Sequence, residues 1–576
     1  MDELTGFIGY FNAIARVLLP AVAIWLLILC GRMLLRRTGG PPRPLAVFAR
    51  EDGERYPVLS EEITIGRGTV CDVCLPHAQI SRRHAVLTHA RQGWRIRDTR
   101  SKSGLYINGE RADNPAWLEF GDAVSFADVT YHFMRPEPRD AVPEKKARRL
   151  RREPSALLAL FLLTVFQLIT GVSLALHYAD NLPPALPICF GGLLLMEWIY
   201  AGVRRFQGIG VELLAFFLCG IGLCVAASAA PSSLFKQFAA ILLGMAMFCV
   251  LAFILKDVER TMKLRYLIGA LAVLLLVLNL LIGETRGGAK NWINLGFITV
   301  QPSEFVKVAF VFAGCATLER IMTARNTILF VLFSGACMVP LFLMKDFGTA
   351  SIFFVGMLIM AYMRSGDWKT VALFGGLAGA GAVTVIAFLP YVASRFAVYR
   401  HAWEYASTGG YQQTRTMMAI GSGGLFGVGG GRGNLDLVAA ADTDLVFGFV
   451  SEEWGLIVAL CCAVCLLLFA IYAIRSTAYS RSAYYSMAAC AAAGIFLFQA
   501  ALNIFGSTDL LPLTGVTFPL VSNGGSSMAA NFAMLAFLKA VQPPTRPEPA
   551  AGAPAGPGLG AKSLGDLAGG KAGDPA

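Results

Sequence analysis

Apolar residues in this chain fall into long unbroken runs, set off by short stretches rich in Arg and Lys. The first run, about Ile14 to Leu35, ends in Arg32, Arg36 and Arg37 rather than in a small-residue cleavage site, which predicts a retained membrane anchor over residues 1–43. From Pro154 onward twelve further runs follow, near 156–178, 185–203, 209–230, 234–255, 264–282, 303–320, 326–344, 347–364, 370–392, 450–475, 484–506 and 520–541. Each approaches the roughly 20 residues that carry a helix across a bilayer. Basic clusters at Arg204–Arg205, Lys256–Arg265, Glu319–Arg325, Arg364–Lys369 and Arg475–Arg481 mark cytoplasmic loops, so 283–302 and 393–449 fall outside. Residues 44–135 differ: short alternating runs broken by turn residues predict a small all-β domain. Arg and Lys clusters on both flanks, Arg32–Arg37 and Arg139–Arg152, hold it in the cytoplasm.

The pattern therefore predicts a polytopic α-helical membrane protein of about 13 spans with a small β-sandwich inserted after the first. Composition agrees: 56% of the 576 residues are hydrophobic and 15% charged, against roughly 45–50% and about 25% in soluble domains. The net charge of +11 follows from the cytoplasmic loops and calls for no nucleic acid. The thirteen cysteines lie mostly in apolar runs, as do Cys461, Cys462 and Cys465. Cys71 and Cys74 form a single CxxC without a second pair, so no metal site is predicted. A basic linker (136–155), two additional helices (156–207), a main membrane domain (208–541) and a disordered Pro/Gly/Ala-rich tail (542–576) complete the expected division.

In the β domain, ITIGRG (63–68), ISRRHA (80–85), RDTRSKSGLYINGE (97–110) and LEFGDAVSF (118–126) place polar residues where strands should end. Loop-borne donors on a strand scaffold suit binding, and Arg67 and Arg82 offer charge-assisted bonds to a phosphate, with Ser81 a neutral donor. The order of these motifs over about 45–133 resembles the forkhead-associated (FHA) domain, a β-sandwich that recognises phosphothreonine peptides. The resemblance implies phosphate contacts at Arg67, Ser81 and Arg82, peptide contact at Ser103 and a structural role for His84. The FHA pattern often has Asn before the Gly where this chain has Ser103–Gly104.

In the membrane part, GETRGGAKNWINLGFITVQPSEFVK (283–307) puts Trp292 at an interface. It then opens a helix with Pro302, Ser303 as cap and Glu304 in the first turn. Glu304 and Lys307, three apart, share a face. Ionisable groups at such depth usually face a cavity or a partner helix. LMKDFGTA (343–350) carries Lys345 and Asp346 at another boundary. GYQQTRTMMAIGSGGLFGVGGGRG (410–433) is Gly-rich but lacks both nucleotide-loop patterns. DTDLVFGFVSEEWG (442–455) brings Asp444, Glu452 and Glu453, and QAALNIFGSTDLLPLTGVTFPLVSNGGSS (499–527) pairs Gln499 with Asn503 across one turn.

Taken in order over about 209–541, these blocks resemble the SEDS family (shape, elongation, division and sporulation), of the FtsW/RodA/SpoVE type. That resemblance implies polymerisation of lipid II into glycan strands outside the membrane, beside a class B penicillin-binding transpeptidase. Catalytically weak scaffolding of the wall machinery under FHA control, and transport of a lipid-linked precursor, are the alternatives. Substrate contacts are expected at Trp292, Glu304, Lys307, Asp346, Gln412, Arg415 and Ser522. Relatives typically read W-E-D-P before GYQ, with its Asp proposed as catalytic, whereas this chain has Trp403–Glu404–Tyr405–Ala406. Glu404, desolvated by its aromatic neighbours, becomes the nearest base, with Asp444 the second catalytic candidate. No cofactor is named, and a divalent cation is left open.

Overall fold

Because a bilayer offers backbone groups no water, the apolar runs satisfy their own hydrogen bonds and form helices. The computed structural model describes residues 2–541 except 36–43, 60–61, 69–70, 91–92, 100, 113–114, 138–139, 141–155, 179–181, 287, 297, 319–323, 389, 478–479 and 481. The tail at 542–576 and most of the basic linker lie outside the described residues. The membrane helices begin with α1 (Asp2–Leu35), α2 (Ala156–His177), α3 (Ala185–Val203), α4 (Gly210–Ala229), α5 (Leu234–Ile254) and α6 (Val258–Ile282). They continue with α7 (Pro302–Leu318), α8 (Ala324–Leu343), α9 (Phe347–Ser365) and α10 (Trp368–Phe388). Three short helices cross the long external segment: α11 (Pro390–Val398), α12 (Tyr411–Gly423) and α13 (Val446–Trp454). The last three are α14 (Leu456–Ser476), α15 (Ala483–Ser507) and α16 (Gly525–Ala540).

Among the described residues, ten helices are long and apolar enough to cross a membrane, fewer than the thirteen expected. Part of the shortfall has a physical reason in α16, 16 residues long, whose first expected residues, 520–524, belong to the preceding loop; α7 is described only from Pro302 to Leu318. α10 (Trp368–Phe388) is 21 residues long, and its described residues include the apolar stretch Val371–Gly381. α4, buried throughout, is the axis of the bundle. α1 lies along α14, where Gly31 meets Leu468, and reaches α2 through a bond from Ser173 to Asn12.

The β domain is built from β1 (Ala46–Ala49), β2 (Arg55–Val58), β3 (Glu62–Gly66), β4 (Val73–Cys74), β5 (Ala85–Ala90) and β6 (Gly93–Asp98). β7 (Leu105–Ile107), β8 (Glu110–Arg111), β9 (Ala116–Leu118), β10 (Ala123–Phe126) and β11 (Val129–Met134) follow. A six-stranded sheet, β2-β1-β11-β10-β7-β8, and a five-stranded sheet, β4-β3-β5-β6-β9, enclose one core. Period-two alternation sends Val124, Phe126, Tyr131 and Phe133 inward from one sheet and Ile63, Ile65, Leu87 and Ile96 from the other. Outside the membrane, β12 (Glu284–Arg286), β13 (Ala289–Asn294) and β14 (Thr299–Val300) form a small antiparallel sheet.

Candidate functional site

The loop between α15 and α16 passes two prolines and the Gly515 turn, so it forms no regular structure and gathers the neighbouring loops instead. Asn503 on α15 donates from Nδ2 to the carbonyls of Asp444 and Val516, each at 2.9 Å. Ser522 Oγ donates to the Thr443 carbonyl at 2.6 Å and accepts from the Phe518 amide at 2.8 Å. Asn523 donates to the Asp442 carboxylate at 2.8 Å and to Ser233 Oγ at 2.7 Å. Gln412 on α12 reaches the Ala439 carbonyl at 2.8 Å. Residues 439–444 are thus fixed on several sides. The half-buried Asp444 carboxylate faces Gly515, where a Cβ would fall 3.2 Å from Oδ2. Loss of hydration pushes this carboxyl up to about 6, Asp442 adds to the rise, and Thr443 and Arg395 pull the other way.

One turn before Asn503, Gln499 accepts from Lys307 Nζ at 3.2 Å. The same ammonium lies 2.7 Å from Glu304 and 3.4 Å from Asn531 on α16, and its side chain is fully buried. Lys307 is therefore paired with Glu304 inside the helix bundle. α7 begins at Pro302, so Ser303 lies inside the helix and does not cap it. Asp346 caps α9 by accepting from the Thr349 amide at 3.1 Å and takes a second bond from Asn291 at 2.7 Å. That bond ties β13, which carries Trp292, to the turn before α9. α9 in turn abuts the Gly515 loop, because a Cβ at Gly348 would fall 2.8 Å from Val516.

Two predicted residues are exposed. Glu404 is 71% exposed and contacts His401 at 3.1 Å. Trp403 and Tyr405 are themselves 57% and 42% exposed, so they do not supply the expected desolvation. Arg415 is exposed, its guanidinium 5.2 Å from the Tyr411 ring. Among the described residues no three His, Cys, Asp or Glu side chains come together as a metal site.

In the β domain, the Arg67 and Gly68 amides donate to the Ser81 and Arg82 carbonyls at 3.0 and 2.9 Å, bringing two predicted loops together. Gly66 is required there, since a Cβ would fall 2.6 Å from the Arg82 carbonyl. Buried His84 accepts from the Ser81 amide at Nδ1 (3.3 Å) and donates from Nε2 to Gly104 (2.9 Å), which draws in the third loop. Ser81 Oγ accepts from the Lys102 amide and Ser103 Oγ donates to Gln79. Arg67 and Arg82 remain exposed beside them.

Residues 221–546, more than half of the chain, match the family described as Cell cycle protein, FtsW/RodA/SpoVE. The chain belongs to the FtsW/RodA/SpoVE family. Residues 63–127 match the FHA domain. A Tolumonas auensis protein named "Probable peptidoglycan glycosyltransferase FtsW" is 32% identical over 366 residues, which span 59% of this chain and 94% of that protein. "Peptidoglycan glycosyltransferase RodA" of Mycobacterium leprae is 27% identical over 52% of this chain and 67% of its own. The crystal structure of the Thermus thermophilus rod shape determining protein RodA is 26% identical over 58% of this chain and 95% of its own, with a TM-score of 0.44.

The FtsW/RodA/SpoVE match takes in every external loop described above, whereas α1–α3 precede it. Its EE-x-G block turns out to hold the Gly-rich segment in place. Glu452 accepts from the Asn434 and Leu435 amides at 3.1 and 3.0 Å, and Glu453 accepts from Ser228 Oγ. Sequence reasoning did not select Asn503, Asn523 or Arg395 as site residues. The Gln499–Asn503 spacing was the available signal for Asn503. Nothing local distinguished the other two, whose partners lie 81 or more positions away.

Proposed function

We propose that this chain polymerises lipid II into glycan strands at the outer membrane face, with Asp444 as the general base. The observation that carries the reading is a carboxylate held half out of water by a fixed loop, in a member of a family whose named relatives are peptidoglycan glycosyltransferases. A base with a pKa of about 6 is largely ionised at neutral pH and still takes a proton effectively. In the step proposed, the acceptor sugar hydroxyl gives its proton to the Asp444 carboxylate as its oxygen bonds to the anomeric carbon. The bond from that carbon to the polyprenyl pyrophosphate breaks, and the pyrophosphate leaves with the electron pair. Of the two predicted cations, Lys307 is occupied by Glu304, so Arg415 is the more accessible one for the leaving group's charge.

The purified chain, incubated with lipid II with and without a class B penicillin-binding transpeptidase, should yield glycan polymer. Movement of lipid II across liposomes without polymer would favour transport, and inactivity even with the partner would favour a scaffold.

The FHA domain is proposed to regulate this activity by binding a threonine-phosphorylated protein through Arg67, Ser81, Arg82 and Ser103. Arg67→Ala removes a charged donor and should weaken a phosphothreonine peptide by about 1.5–3 kcal/mol. Calorimetry on residues 44–135 checks this, and equal binding by the variant would reject the pocket.

A further inference from the structure

Among the described residues of the β domain, three large apolar side chains are exposed: Leu59 (39%), Trp117 (49%) and Phe120 (40%). Strand register puts them at one end of the sandwich. Trp117 opposes Arg95 near the start of β6, Phe120 stacks on Phe133 near the end of β11, and Leu59 follows Val58, which opposes Ala46. The chain enters the domain at this end, where β1 opens at Ala46, and β11 also finishes there, since Val47 pairs with Met134, before the chain turns back to Asp140 at Arg55, which opposes Ala49 further along the sandwich. The phosphate loops sit at the other end, beyond the Ile65–Ala85–Asp98 register and the start of β7.

In sequence, the termini connect to the membrane helices α1 and α2. About ten residues separate α1 from β1, a span of at most about 35 Å. On the other side the chain stays pinned to the domain as far as Asp140, whose carboxylate takes both Nε and a terminal nitrogen of Arg55 at 2.5 and 2.7 Å. The exposed aromatics carry cations: Arg95 lies 5.0 Å from the Trp117 ring and Arg135 5.4 Å from Phe120. The Lys/Arg cluster up to Arg152 follows in sequence. Glu119 and Asp122 share the Phe120 loop, but Asp122 is engaged by Asn108 and by the Glu119 amide. Aromatic rings with adjacent arginines on a tethered domain match an anionic bilayer surface, where rings settle at headgroup level and cations meet lipid charge.

We propose that the β domain docks on the anionic cytoplasmic leaflet through Leu59, Trp117 and Phe120, leaving its phosphate loops facing the cytosol. The docking does not depend on peptide binding. It fixes the direction from which a phosphorylated partner approaches.

Hydroxyl-radical footprinting of the full chain, one copy per nanodisc, reads these side chains directly. The reference is the isolated 44–135 fragment, whose core is drawn wholly from its own residues. Trp117 and Phe120 should oxidise several-fold more slowly in discs containing phosphatidylglycerol than in the fragment, and less so in phosphatidylcholine alone. Tyr106, towards the phosphate end, should oxidise equally in all three. Equal rates for Trp117 and Phe120 in discs and fragment, or protection of Tyr106 instead, would overturn the proposal.

Discussion

Asp444 and Glu404 are both loop carboxylates, and their surroundings separate them. One is half-buried against Gly515 and the other is 71% exposed. With Asp444 titrating at about 6, polymerisation should rise as pH increases through that value and level off above it, as the carboxyl gives up its proton. A rate measured from pH 5 to 8 under saturating lipid II tests this. His84 titrates with the opposite consequence of burial. Loss of water lowers its pKa, while the Gly104 carbonyl and Asp98 favour the charged form. A folded-state value below the unfolded one, near 6.5, means the native domain binds fewer protons than the unfolded chain. Its stability is then full above about 6.5 and falls as pH drops below it. The melting temperature of the 44–135 fragment should decline from pH 7 to 5, and His84→Asn should flatten that slope. The FHA loops were legible residue by residue because each motif is a local turn. Asp444 was legible only as the second candidate base after Glu404, because the burial that sets it apart involves Gly515, 71 positions away.

At the scale of elements, α7, α15 and α16 share one buried polar contact around Lys307. The i, i+3 spacing of Glu304 and Lys307 made their pairing readable, but their depth of burial was not. That burial follows from Gln499 and Asn531 closing over the ammonium from other helices. Glu304→Gln leaves a buried cation without its counter-charge and should destabilise the detergent-solubilised protein by about 3–5 kcal/mol, whereas Glu304→Gln/Lys307→Met should recover much of that loss. Thermal unfolding of the three proteins checks it. Equal stability of all three, with activity alone lost, would return Lys307 to the substrate. The apolar runs announced the helices, yet α16 starts at Gly525 rather than near 520, because residues 520–524 belong to the loop before it.

Across the whole molecule, α1 and α2 carry the β domain between them and pack on the family core from outside it. α2 meets the Gly-rich segment directly: a Cβ at Gly430 would fall 3.3 Å from Leu174 and one at Gly431 would strike His177. The alternation of basic loops made the two-domain layout readable, since it needs only charge counting. The site required the fold, because it is assembled from loops separated by long helices. In the proposed reaction Asp444, and not Glu404, takes the acceptor proton. Lipid II polymerisation by the purified protein with its transpeptidase partner tests it most directly. Asp444→Asn keeps the shape but removes the base, and should lower the rate by about 10²–10⁴-fold, while Glu404→Gln stays close to wild type. Wild-type-like synthesis by Asp444→Asn together with loss in Glu404→Gln would contradict the account.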